Sequence, residues 1–104
     1  MNAPKAKDTA KDTVGIAWYR REDWQEALAV FTDRLLLPSS YEKWLDSAEF
    51  LEAKIRQRGG IPVKVFIDPV AFPNWCRRHG LQLNARARQE YASEAAKKQR
   101  EKSS

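Results

Sequence analysis

The segment GGIPVKVFIDP, residues 59–69, holds a helix stop, a strand and a helix start in immediate succession. Gly59-Gly60 suits the end of a helix, where a residue without a Cβ turns left-handed and satisfies the last carbonyls. From Ile61 to Asp68 the side chains alternate: Ile61, Val63, Val65 and Ile67 point one way, Lys64, Phe66 and Asp68 the other. That is the period of a half-buried strand. Pro62 has no N–H to give a ladder, so this end of the strand is expected on a sheet edge. Asp68-Pro69 is the opposite kind of signal, an N-cap acceptor followed by the residue best suited to N1.

The helix that Gly59 stops is the clearest one upstream. Ser39-Ser40-Tyr41-Glu42 fits a capping box with Ser39 as N-cap and Glu42 at N3. Tyr41, Trp44, Leu45, Ala48, Leu51 and Ile55 then form one apolar stripe, and Lys43, Asp46, Glu49, Glu52, Arg56 and Arg58 fill the polar side. Before it, Trp24, Ala27, Leu28, Phe31 and Leu35 recur at helical spacing, which predicts a helix from Glu22 to Arg34. VGIAWYR (Val14–Arg20) is rich in β-formers and reads as a first strand. Downstream, Phe72, Trp75, Cys76 and His79 share a helical face that ends at Gly80. Pro73 requires either a later start or an irregular first turn. Asn84 caps a last helix, ARARQEYASEAAKKQR, whose stripe of Tyr91, Ala92, Ala95 and Ala96 is thin.

The predicted fold class is α+β, a small single domain in the order β-α-α-β-α-α, with a two-stranded sheet covered by helices. Two strands alone make a marginal sheet with two open edges. Edge pairing across a two-fold axis would extend it to four strands, and a homodimer is expected. The globular part is expected over residues 14–96, between a tail at 1–13 and a basic, frayed tail at 97–104. The core is aromatic: four tryptophans, three tyrosines and four phenylalanines, each able to bury roughly 150–250 Å².

A single cysteine excludes an internal disulfide, which fits a reducing compartment. MNAPKAKDTAKDT has no apolar h-region and is not read as a secretory signal. No window approaches the length of a membrane span. A cytoplasmic protein is expected. The net charge of +5 is uneven. Residues 1–76 carry eleven basic and eleven acidic side chains, and residues 77–104 carry eight and three. A neutral body with a basic end suggests nucleic acid or an acidic protein partner.

Cys76 and His79 are the chain's only cysteine and histidine. A structural zinc site needs about four ligands, and the chain offers one of each type. Sharing a face with Phe72 and Trp75, the pair is expected inward, as packing. A buried, apolar thiol is inert. No metal, cofactor or catalytic residue is assigned. WYRREDW (residues 18–24) could stack on bases, but Trp18 and Trp24 already belong to apolar faces. Glu49 with Glu52, and Asp46 with Glu49, read as a solvated face beside lysines and arginines. The remaining candidate is an anion or nucleic-acid patch of Arg77, Arg78, Arg86, Arg88, Lys97 and Lys98, continued by Arg100 and Lys102.

The blocks GIAWYRREDW, SYEKWL, VFIDP with FPNWCRRHGL, and NARARQEYA give the chain a resemblance to a group of small bacterial proteins of unknown role. It spans roughly residues 14–95. It implies a small α+β domain and carries no catalytic residues to transfer. The expected function is a non-enzymatic binding or protein-interaction module, with nucleic-acid binding as the alternative.

Overall fold

The computed structural model describes residues 12–103, with side chains described through Gln99. The tail expected at residues 1–13 lies outside the described residues as far as residue 11. Two strands, β1 (Thr13–Trp18) and β2 (Ile61–Phe66), pair in parallel, with Thr13 beside Ile61 and Trp18 beside Phe66. Among the described residues the α-helices are α1 (Trp24–Val30), α2 (Tyr41–Gln57), α3 (Ala71–His79) and α4 (Ala85–Ser103). Short 3₁₀ turns at Arg21–Asp23 and Arg34–Leu36 flank α1. Parallel strands need a long crossover, and α1 with α2 supplies it. The fold is a mixed α+β domain.

Successive β1 residues face opposite sides of the sheet. Trp18 meets Trp44 of α2 edge-on, ring centroids 5.2 Å apart, so Ile16 and Trp18 face α2. Gly15 faces α4, close enough that a Cβ there would lie 2.2 Å from the carbonyl oxygen of Ala92 and 3.1 Å from the Cβ of Ala96. Small residues on both sides let the helix backbone rest on the strand. α4 continues without a break to Ser103, through the segment expected as a tail.

All the aromatic residues except the exposed Phe50 and Phe66 form one connected core. Tyr19 meets Trp24 and Trp44 edge-on at 5.5 and 4.9 Å. Phe31 links this group to Phe72 at 5.9 Å, and Phe72 and Trp75 both meet Tyr91 of α4, at 5.4 and 5.2 Å. Such pairs add roughly 0.5–1.5 kcal/mol each beyond the area they bury.

Several local expectations need correction. The N-cap of α2 is Ser40, not Ser39: its Oγ accepts the Lys43 N–H at 3.1 Å. Glu42 therefore falls at N2, cannot close a capping box, and pairs with Arg21. The helix expected to reach Arg34 ends at Val30, because Phe31 turns to extended backbone (φ −82°, ψ 135°) and enters the core. Leu35, assigned to the same apolar face, is left 90% exposed, and Leu36 84%.

The C-terminal end of α3 follows its local signal, but the helix begins at Ala71, two residues after the Pro69 expected at N1, and Asp68 caps the turn before it. Asp68 Oδ2 accepts the N–H groups of Val70 and Ala71 at 2.9 and 2.7 Å. Pro73 then sits within the first turn of Ala71–His79, where its missing N–H does no harm. Gly80 is left-handed (φ 65°), with Leu81 N–H bonded to Cys76 O at 2.9 Å and Gly80 N–H to Arg77 O at 3.3 Å, a Schellman close.

Gly15→Ala should cost about 3 kcal/mol or more, because the clash is with backbone that cannot swing aside. Gly80→Ala, with nothing within 4 Å, should cost only the left-handed strain of about 1–2 kcal/mol. Urea unfolding of both variants measures the difference. An alanine at position 15 with an unchanged midpoint would contradict the close approach of α4.

Candidate functional site

The Cys76–His79 pair is split by the fold. Cys76 is fully buried, its Sγ 4.0 Å from the carbonyl oxygen of Gln82, and burial pushes its thiol pKa up. His79, expected inward, is exposed. It is the last residue of α3, where the chain turns away at Gly80. Its ring lies over Trp75 at 4.2 Å, with Nδ1 2.8 Å from Trp75 O. Among the described residues no group of three or more His, Cys, Asp or Glu side chains is placed to hold a metal ion. No helix among them is long and apolar enough to cross a membrane.

Of the basic candidates, Arg77, Arg78, Arg86, Lys97 and Lys98 are exposed. Arg77 donates to Asn74 Oδ1 at 2.9 Å, and Arg86 to Glu90 at 2.9 Å. Arg88 is different. Its guanidinium donates two hydrogen bonds to Asp33, each 2.9 Å, and lies 4.4 Å over the Phe31 ring. It is 8% exposed. These bonds hold the Asp33 carboxyl below the usual carboxylate range. Arg88 thus leaves the expected patch, because its charge is already matched inside the protein. The side chains of Arg100 and Lys102 lie outside the described residues.

The WYRREDW stretch offers no open ring for stacking. Trp18, Tyr19 and Trp24 are buried. Arg20 covers Phe66 and Arg21 covers Tyr41, each at 4.6 Å. On α2, Glu52 pairs with Arg56 at 3.2 Å and reaches Lys64 at 4.0 Å.

The feature that remains is a sheet edge; the sequence implied two open edges but not which strand carries the free one. Ile61 N–H donates to Asp12 O and Ile67 N–H to Trp18 O, both at 2.9 Å. In a parallel ladder this register turns the main-chain groups of Val14, Ile16 and Trp18 toward β2, and those of Thr13, Gly15 and Ala17 outward. Among the described residues the outward groups have no backbone partner; Gly15 O takes only the Gln89 side-chain amide, at 3.4 Å. Thr13 and Gly15, the latter buried, line a hollow with Ser93 and Lys97, and Ala17 lines a separate groove of about 350 Å³. Ile16 and Ala17 form its floor, Trp44, Ser47 and Leu51 the α2 wall, and Ala85 and Gln89 the α4 wall, with Leu36 to Pro38 at one end. The Tyr19 phenol in this lining is pushed up to about 12 by burial and stays protonated.

The β2 edge is unlike it. By the same register Pro62, Lys64 and Phe66 turn their main-chain groups outward. Proline without an N–H and lysine are what natural edges carry against unwanted pairing. The free β1 edge has neither. The alternation around Pro62 was a readable signal for which edge is blunted, but only once the strand direction is known.

Comparison with family models, with curated proteins and with solved structures finds no match to this chain.

Cys76 should not react with a thiol reagent near neutral pH in the native protein, and should react fully once denaturant is added. Rapid native modification would show that Sγ is reachable and would reopen its chemistry.

Proposed function

We propose that the chain is a small, non-enzymatic interaction module of the cytoplasm that takes up an extended strand from a protein partner at the free edge of β1. The four-stranded homodimer expected from the sequence is one form of that event. The observation that carries the reading is the asymmetry of the two edges. β2 is blunted by Pro62 and Lys64, whereas β1 turns main-chain groups without a backbone partner outward, those of Ala17 at the floor of an apolar groove. Strand addition draws its affinity from main-chain hydrogen bonds and its selectivity from pockets for alternate side chains. It therefore needs no constellation of reactive side chains. The apolar rim fits a protein partner: Phe50, one turn along α2 from Ser47, is 66% exposed and Leu51 46%.

A fluorescent peptide copying residues 12–19, with terminal lysines for solubility, should bind and raise anisotropy. Ala17→Pro removes one outward N–H while leaving the β1–β2 ladder intact, and should weaken binding about tenfold or more. Equal binding by the variant would exclude the edge.

A second reading, nucleic-acid binding, is favoured by one observation: Arg77, Arg78, Arg86, Lys97 and Lys98 are all exposed in the part of the chain that carries the charge excess. A labelled oligonucleotide should then shift at low salt, with log affinity falling by about 0.9 per phosphate contact for each unit of log salt. The shift should be lost with Arg77→Ala and Arg78→Ala together. Arg88→Ala is a poor probe, since it strands Asp33. No shift at low salt would remove this reading.

A further inference from the structure

We infer that the strand taken up at this edge is β1 of a second copy of the chain, the two β1 strands running antiparallel about Gly15. The inference rests on reading that edge as a strand acceptor. The outward groups belong to Thr13, Gly15 and Ala17, a set symmetric about its glycine. A two-fold axis through Gly15 sets it opposite its own copy and sets Thr13 opposite Ala17. Antiparallel residues paired in this way exchange both of their hydrogen bonds. Every outward N–H and C=O of the three residues then finds a partner. The long bond from Gln89 Nε2 to Gly15 O, 3.4 Å, marks a carbonyl that a strand would satisfy better.

The surroundings fit the same axis. A two-fold axis perpendicular to the sheet keeps each face on its own side, so α2 meets α2 and α4 meets α4. On the α2 side the exposed Phe50 and Leu51 meet their counterparts, apolar on apolar. On the α4 side Gln89 and Ser93, next to Gly15, carry no charge, and the nearest charged side chain is the exposed Lys97 one turn on from Ser93. In the groove at Ala17 the one charged residue, Arg88, is matched by Asp33, so that part of the edge does not select an oppositely charged foreign peptide. The blunted β2 edge also has a role here. Once the β1 strands have paired, Pro62 and Lys64 lie on both outer edges, and assembly closes at four strands instead of growing.

Sedimentation of the full chain at micromolar concentration should give twice the chain mass, and Ala17→Pro should give the monomer with unchanged far-UV circular dichroism. In a mixed labelled and unlabelled wild-type sample, an inter-chain Overhauser effect should join Hα of Val14 to Hα of Ile16. These residues form the closely spaced pairs, about 4.5 Å between Cα atoms, that flank the Gly15 pair. This wild-type readout decides the matter even if the proline variant fails to fold. A monomer at all concentrations, with the β1 peptide still bound, overturns the second-copy inference and leaves the strand-acceptor reading standing. A dimer that survives Ala17→Pro and lacks the Val14–Ile16 effect overturns the inference too. Loss of peptide binding as well would sink both.

Discussion

α4 rests on β1 at Gly15 with no side chain between them, and the rest of the molecule is arranged around that contact. A parallel sheet needs cover on both faces, and a sheet of two strands is too narrow to stand without it. α2 covers one face with large residues, Trp44 against Trp18. α4 covers the other with Ala92 and Ala96 against a glycine. Because the second contact is made of small groups, the α4 backbone comes close, and Gln89 reaches the outward carbonyl of Gly15. The same closeness makes α4 a wall beside the β1 edge.

The position of α4 is fixed from its N-terminal end by polar contacts to the segment after α1. Arg88 holds Asp33 with two hydrogen bonds and lies over Phe31. Thr32 N–H donates to Leu83 O at 2.9 Å, and Thr32 Oγ1 lies 3.3 Å from the same oxygen. A buried ion pair is weak grounds for net stability, since desolvation offsets much of its attraction. Its geometric effect is clearer: two parallel N–H···O bonds allow one placement of the helix start. Phe31 leaves the helical path to join this cluster, and Leu35 and Leu36 are consequently carried to the surface.

What could be read in the sequence was local. Asp68, Gly80 and Asn84 act within four residues of where they stand, and the structure places a cap or close at each. The alternation from Ile61 to Ile67 and the Trp44–Ala48 stripe are equally local periodicities. What could not be read depends on distant partners. Arg88 looked like one more exposed cation because Asp33 lies 55 residues away. The α1 helix was read too long because the pull on Phe31 comes from Phe72, which helical spacing does not register. His79 fitted the inward spacing of α3, yet a residue in the last turn, just before a left-handed glycine, is free to turn outward. The strand direction was inferable from the crossover: two helices between two strands suit a parallel pair. With the direction fixed, the identity of the free edge would have followed.

The chain protects its two edges unequally, and the reason is physical. A proline and a lysine on β2 work against pairing there. Had β1 been meant to face water, the same devices would stabilise it against aggregation at little cost, because the groups concerned are already outside the ladder. Instead that edge carries threonine, glycine and alanine, beside a rim where Phe50 and Leu51 remain 66% and 46% exposed. Apolar side chains gathered beside unpaired main-chain groups gain little from water on either count. Burying the side chains removes apolar area from solvent at roughly 25 cal/mol per Å², and an added strand satisfies the amides and carbonyls in the same step. Neither gain is open to the isolated chain, in which α2 and α4 stand on opposite sides of the sheet and the β1 edge between them is free.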